Sequence, residues 1–302
     1  MILTFSRGAG PLGAMEGDMS ALERAFEAAR ARRLRVVFPE LGQDARIDAA
    51  VARLRAGGLA DPIALAEMSA AQIATLVERR GVKAALARRM LNRPLIRAAA
   101  MVAAGEADAM VAGAVAASKK VIEAASLAIG PAEEGRAVSS FFLMVFPDGR
   151  DLIFADCGLN VDPDAAQLVD IARASEKTGR ALLGAARVAL LSFSTGRSGA
   201  GASVDKVRAA AEASGFTGPV QGDAALNPRV AVAKGLGTGD ANVLVFPNLD
   251  AGNIAYKLAQ ELAGAQALGP ILQGFRRPVC DLSRGATVED IVAATVVTLA
   301  LA

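Results

Sequence analysis

The chain has 302 residues, 53% of them hydrophobic and 21% charged, with a formal net charge of +2. That is room for two modest domains with a real core, and too little net charge to draw nucleic acid or an anionic membrane. There is no histidine and no tryptophan, which excludes a Ser-His-Asp triad, a Cys-His pair and a His-ligated metal.

General acid–base work therefore falls to Asp, Glu, Lys, Tyr or Cys. The two cysteines, Cys157 and Cys280, lie far apart with no Cys-x-x-Cys spacing. They predict reduced thiols and a cytoplasmic setting. Residues 1–19 are rich in Gly and Pro and lack the layout of a secretory signal, so they read as a flexible leader. The apolar run after Asp290 carries threonines and is too short to span a bilayer.

In chain order, Ser20 and Glu23 have the spacing of a capping box, with a helical pattern behind them to Arg33. "RVVFPE" predicts a short strand ended by Pro39, and a helix follows over 44–56. "DPIAL" is a further strand candidate, and helical patterns cover 70–78 and 84–104. "ADAMVAGA" predicts a buried strand entering a glycine turn, with a helix from Ser118 to Ile129 behind it. "GPAEEGRA" before Ser139 reads as a linker. "SSFFLMVFPDGRDLIFAD" predicts a hairpin around Pro147-Asp148-Gly149-Arg150. Strand and helix then alternate to the end, the last helix starting near Thr287. "ALGPILQGF" is the best second boundary. The pattern predicts an α/β protein with mostly parallel sheets and flanking helices.

Several loops carry chemistry-bearing residues. "LLSFSTGRSGAGASVDKV" places Ser, Thr and Gly between a strand and a helix. It fits a structural turn, an anion- or cofactor-contacting loop, or half of a dinucleotide fingerprint. Asp156, Asp162 and Asp164 cluster at a strand end and fit either turn and cap roles or a magnesium site. In "FPNLDAGNIAYKL", Asn248 and Asp250 suit capping, while Asn253, Tyr256 and Lys257 share about one helical turn. "DLSRGATVEDIV" is the best organised stretch. Gly285 permits a sharp turn, Thr287 suits a helix cap and Asp290 a first-turn acid. The functional alternative has Ser283 and Asp290 converging on a reacting group while Arg284 pins a phosphate or carboxylate.

Taken together, "FADCGLNVDPDAAQLVDIA", "LSFSTGRSGAGASVDKV", "QGDAALNP", "FPNLDAGNIAYKLAQ", "GPILQG" and "DLSRGATVEDIV" occur in an order and spacing that resembles the phosphate acetyl/butyryl transferase family. "FPE" with "DARI", and "DAMVAGA", extend the resemblance toward the N-terminus. It implies exchange of acetyl-CoA and phosphate for acetyl phosphate and CoA, with CoA as a substrate, no bound cofactor and no metal. It also implies a two-domain, isocitrate/isopropylmalate dehydrogenase-like α/β fold. The first domain would comprise residues 1–134 and 270–302, the second residues 135–269, with a cleft between them and the second domain forming a homodimer.

By the same resemblance Ser283 would polarise the reacting carbonyl, Arg284 would hold the phosphoryl group and Asp290 would take the thiol proton. Further substrate contacts would come from Ser118, Lys119 and Lys120, from Ser194 and Thr195, from Asn253, Tyr256 and Lys257, and from Gln273 and Gly274. The chain departs from the family at Glu123-Ala124, where Arg-Pro is common, and Lys119 or Lys120 would supply the missing charge. A further family arginine would fall at Arg79 or Arg80.

A free thiol has a pKa of about 8.5 and an aspartate about 3.9, so the proton transfer is uphill by roughly 6 kcal/mol. Burial of Asp290 and cations near the thiolate would narrow that gap. Direct attack of thiolate on the acetyl group in a ternary complex is expected, since no base is evident for a covalent acetyl-Ser283. The alternatives are a longer acyl chain, a degenerate non-catalytic regulatory homologue, and a metal-dependent dehydrogenase on the related fold.

Overall fold

The computed structural model of the chain describes residues 19–302. The leader expected over residues 1–19 thus lies, but for Met19, outside the described residues. The elements run α1 (Ala21–Arg32), β1 (Arg35–Val37), α2 (Ala45–Ala56), β2 (Asp61–Ile63), α3 (Ala70–Arg80), α4 (Ala84–Leu91), α5 (Pro94–Ala103), β3 (Ala109–Ala112) and α6 (Ser118–Ala128). They continue with β4 (Ser139–Val145), β5 (Asp151–Ala155), α7 (Ala165–Leu183), β6 (Val188–Leu191), α8 (Ala202–Ser214), β7 (Thr217–Val220), α9 (Gly222–Leu226) and α10 (Pro228–Lys234). The last are β8 (Val243–Val245), α11 (Leu249–Ala263), β9 (Gln266–Gln273), β10 (Val279–Asp281) and α12 (Val288–Ala300).

The chain divides into two units. One holds the described residues up to Arg24 together with Phe142–Leu268, and the other holds Ala25–Phe141 with Gly269–Ala302. These divisions fall inside α1, β4 and β9, the last of them one residue before the expected 269/270. Neither expected linker is a free connector. Pro131 bridges Phe275, the amide of Ala132 donates to the carbonyl of Gly274 at 2.8 Å, and the Gly-Pro stretch at 269–270 is the middle of β9.

In the Ala25–Phe141/Gly269–Ala302 unit, β1 pairs in parallel with β2 and β3, and β10 pairs in parallel with β3 and antiparallel to β9. The strands are short, and β3, between β1 and β10, is wholly apolar and buried, as a parallel strand covered on both faces is. One core cluster joins Val37, Met110 and Val279 of the strands to Leu76, Leu91 and Met101 of the helices and to Ile129, the residue that ends α6. α12 is apolar nearly all round and buried from Ile291 to Leu299; its Thr295 and Thr298 hydroxyls satisfy themselves on carbonyls one turn back. The single helix expected over 84–104 is two. α4 stops at Leu91 and α5 starts on Pro94, because proline lacks the amide a continuing helix needs but fits a first turn.

In the other unit β5, β8, β6 and β7 are parallel neighbours. β4 and β5 form the expected hairpin, its turn closed by Gly149 N to Phe146 O at 3.0 Å. Phe142, Phe154, Leu191, Leu244 and Phe246 anchor its core.

Candidate active site

β1, β3 and β10 are adjacent parallel strands, so the segments leaving their carboxyl ends emerge at the same end of the sheet. In open α/β sheets this is where ligands bind. The segments are Phe38–Asp44 before α2, Gly113–Ala117 before α6 and Leu282–Thr287 before α12. The last carries Ser283 and Arg284, the middle one leads to Ser118, and both predicted groups are thereby brought together.

The approach of the second and third segments is close. The amide of Leu282 donates to the carbonyl of Ala112 at 2.6 Å. A Cβ on Gly113, whose φ is +112°, would stand 2.6 Å from both Asp281 Oδ1 and Leu282 O, so only glycine fits. The first segment contributes Glu40, 4% exposed, whose carboxylate accepts the amides of Gly113, Ala114, Val115 and Ala116 at 2.7–3.2 Å. Successive amides in such a turn form an anion-binding concavity, here filled by the chain's own carboxylate.

Ser283 and Arg284 are exposed. Ser283 Oγ accepts only a 3.3 Å bond from Gly285 N, and the Arg284 guanidinium has no hydrogen bond or ion pair among the described residues. Asp290 is half-buried on the first turn of α12, where Thr287 and Asp290 cap each other. Both sequence readings of its position, cap and reacting acid, remain compatible with this placement.

Ser118, Lys119 and Lys120 form the first turn of α6 and are exposed. That turn has no capping side chain, since its N-cap is Ala117. Cations at the positive end of a helix are unfavourable unless an anion is bound there. Lys119 and Lys120 have no ion pair among the described residues, whereas Glu123, the departure from the family pattern, is paired with Arg93 at 3.2 Å. Arg79 lines a cavity of about 470 Å³ with Arg276; burial first, and the Arg276 charge second, push its pKa down.

Sequence reasoning missed Asp281, which ends β10. It is buried, its Oδ1 has no hydrogen-bond partner among the described residues, and burial pushes its pKa up to about 6. A hydrogen bond with Ser118 works against that rise, and the charge of Glu40 adds to it. The neighbouring Cys280 thiol is pushed up to about 12, again by burial, and Cys157 well up for the same reason. Neither is a nucleophile at neutral pH.

The remaining predicted contacts have internal duties. Gln273 is buried and donates to Ser139 Oγ at 3.0 Å, and Gly274 takes a left-handed φ of +80°. The others belong to the unit holding Phe142–Leu268. Ser194 and Thr195 are buried: Ser194 Oγ accepts Gly199 N at 2.8 Å, and Thr195 Oγ1 accepts Gln221 N at 3.1 Å. They brace the loop before α8. Asn253 donates to Cys157 O at 3.2 Å, Tyr256 stacks on Phe142 with centroids 4.1 Å apart, and Lys257 lies over the Tyr256 ring at 5.0 Å. The acidic cluster is likewise employed. Asp156 accepts the amides of Gly158, Leu159 and Asn160, Asp162 pairs with Lys206, and Asp164 caps α7.

Residues 64–299 match the family model described as phosphate acetyl/butaryl transferase. A phosphate acetyltransferase of Paracoccus denitrificans is 41% identical over 93% of this chain and 98% of its own length. The crystal structure of a phosphotransacetylase from Streptococcus pyogenes superposes with a TM-score of 0.85 at 34% identity, covering 93% of this chain and 97% of that one. The EutD phosphotransacetylase from Staphylococcus aureus superposes with a TM-score of 0.83 at 32% identity, covering 92% and 98%. The chain belongs to the phosphate acetyl/butaryl transferase family.

Proposed function

We propose that the chain is a phosphate acetyltransferase that interconverts acetyl-CoA and phosphate with acetyl phosphate and CoA. The observation that carries the assignment of the site is an exposed cationic corner: Arg284, with no ion pair among the described residues, and the lysine-bearing first turn of α6, with no side-chain cap, stand at one end of the β3–β10 pair. Such a corner is suited to a phosphoryl group. Arginine grips it with a planar fork, and helix amides complete the cradle.

In this reading the acetyl phosphate carbonyl lies against Ser283, whose hydroxyl donates to the oxygen that becomes negative. Asp290 takes the CoA thiol proton, and the thiolate attacks the carbonyl. The C–O bond to phosphate then breaks, and phosphate departs onto Arg284. Lys119 and Lys120 supply the positive charge that Glu123 does not. Holding both substrates in one complex supplies much of the rate, because a bimolecular encounter becomes intramolecular. No group bound permanently to the chain is required.

Thioester formation from CoA with acetyl phosphate, compared with butyryl phosphate, tests this. The reading expects acetyl phosphate to be the better substrate; a clear preference for butyryl phosphate would reassign the acyl specificity. A homodimer and a cytoplasmic setting belong to the same proposal. The dimer is supported by α11, where Ile254, Leu258 and Leu262 make an apolar stripe at helical spacing, each more than half exposed. Sedimentation of Leu258→Glu at half the mass of the parent protein is the expected result, and an unchanged mass would move the contact elsewhere.

A further inference from the structure

The two segments of the candidate site are joined by a residue that neither the sequence reading nor the proposed chemistry uses. Arg46, on the first turn of α2, donates from Nη1 to the carbonyls of Arg284 at 2.8 Å and Ala286 at 2.9 Å. From Nη2 it reaches the carbonyl of Ala114 at 3.3 Å. One guanidinium thus holds the Ser283–Arg284 segment and the segment leading to Ser118. Asp44 fixes the guanidinium in turn, accepting Nε at 3.0 Å and Nη2 at 2.7 Å, while also capping α2 through Arg46 N at 2.8 Å. The bond to Arg46 holds the Asp44 carboxyl down to about 2, so the pair stays ionised throughout the neutral range. Glu40 grips the Ala114 segment from its other side through four amides.

We propose that Arg46 is a positioning residue for acetyl transfer, setting Ser283 and Arg284 in place against the first turn of α6, with Glu40 as its counterpart on the Gly113–Ala116 segment. It does so through backbone carbonyls, so it touches no reacting atom. The proposal rests on the assignment of Ser283 and Arg284 to the site. The reason for arginine is geometric. Its donors fan out in a plane and serve one carboxylate and three carbonyls together; a lysine ammonium is a point with three donors. Misplacement of a catalytic group by about 1 Å costs about 100-fold in rate.

The test compares Arg46→Lys, Glu40→Gln, Arg284→Ala and the double variant Arg46→Lys/Arg284→Ala in the full chain, with thermal unfolding alongside kinetics. Arg46→Lys is expected to lower kcat by about 10- to 100-fold while KM for CoA changes less than about threefold, in protein that still unfolds cooperatively. In the double variant Arg46→Lys is expected to add little to the loss from Arg284→Ala, because it acts by placing that residue. Full multiplication of the two losses would overturn the proposal, as would near-parental kcat in a folded Arg46→Lys. Should Arg46→Lys not fold, Glu40→Gln is read the same way. If both unfold, the pair is structural and the proposal falls. An active Arg284→Ala, by contrast, would discredit the site assignment itself.

Discussion

The carboxylate of Asp290 accepts two bonds from Thr287, one from the amide at 3.0 Å and one from the hydroxyl at 2.8 Å, both on Oδ2. Thr287 Oγ1 in turn accepts the amide of Asp290 at 3.1 Å. The proposed base is therefore also the acid partner of a capping box, held at a fixed angle by the start of α12. Asn keeps an acceptor for the cap but cannot take a proton at neutral pH. Asp290→Asn is expected to retain stability within about 0.5 kcal/mol, whereas Asp290→Ala loses about 0.5–1.5 kcal/mol. Both should lose about 100- to 10,000-fold in kcat. Thioester kinetics set beside urea unfolding separates the two roles, and an active Asp290→Asn would leave only the cap.

Removing both lysines of the first turn of α6 has the opposite signature. They are exposed, have no ion pair among the described residues and sit at the positive end of a helix. Lys119→Ala/Lys120→Ala is expected to leave stability unchanged or slightly raised, by about 0.3–1 kcal/mol. KM for phosphate should rise several-fold, and the loss should shrink at high salt as screening weakens the parental attraction.

Asp281 makes stability depend on pH in a defined direction. Its folded pKa of about 6 stands above the ordinary value of about 3.9. Between pH 4 and 6 the folded chain keeps a proton that the unfolded chain has released. Its contribution to stability is thus neutral below pH 4, falls as pH rises to 6, and stays unfavourable above, by on the order of 3 kcal/mol. Asp281→Asn should gain stability over the parent protein as pH rises from 4.5 to 7, by thermal or urea unfolding. A difference independent of pH would contradict this.

Gly113→Ala should unfold more easily by about 2–4 kcal/mol, because its Cβ would meet the backbone of Leu282 at 2.6 Å and φ would remain positive. Denaturant midpoints measure this, and a neutral substitution would mean that the two segments separate readily.

Much of this was legible beforehand, for local reasons. Ser20 and Glu23 form the capping box that their spacing predicts, at 2.7 and 3.2 Å, and Asp44, Asn248 and Thr287 cap the helices behind them. The α/β class followed from alternation of short apolar runs with helical periods. The break between α4 and α5 was available from Pro94, but the apolar period continues across it.

Glu40 and Arg46 were visible only as fragments of "FPE" and "DARI". Their partners lie at 113–116 and 284–286, and only the pairing of β1 with β3 and of β3 with β10 brings those segments together. Asp281 precedes the recognised Ser283 by two residues, yet nothing local marks it as buried beside Gly113. Ser194, Thr195 and Gln273 were expected as contacts through the family resemblance, and no local pattern showed the burial and internal bonds they have in the fold.

The most direct measurement is the initial rate of thioester formation from acetyl phosphate and CoA, for the parent protein and for Arg284→Ala prepared together. Arg284 makes no side-chain bond among the described residues, so its loss should leave folding intact. The predicted result is steady turnover by the parent protein and a loss of at least about 100-fold in an equally stable Arg284→Ala. Absence of thioester with folded parent protein, or undiminished turnover by the variant, would contradict the account.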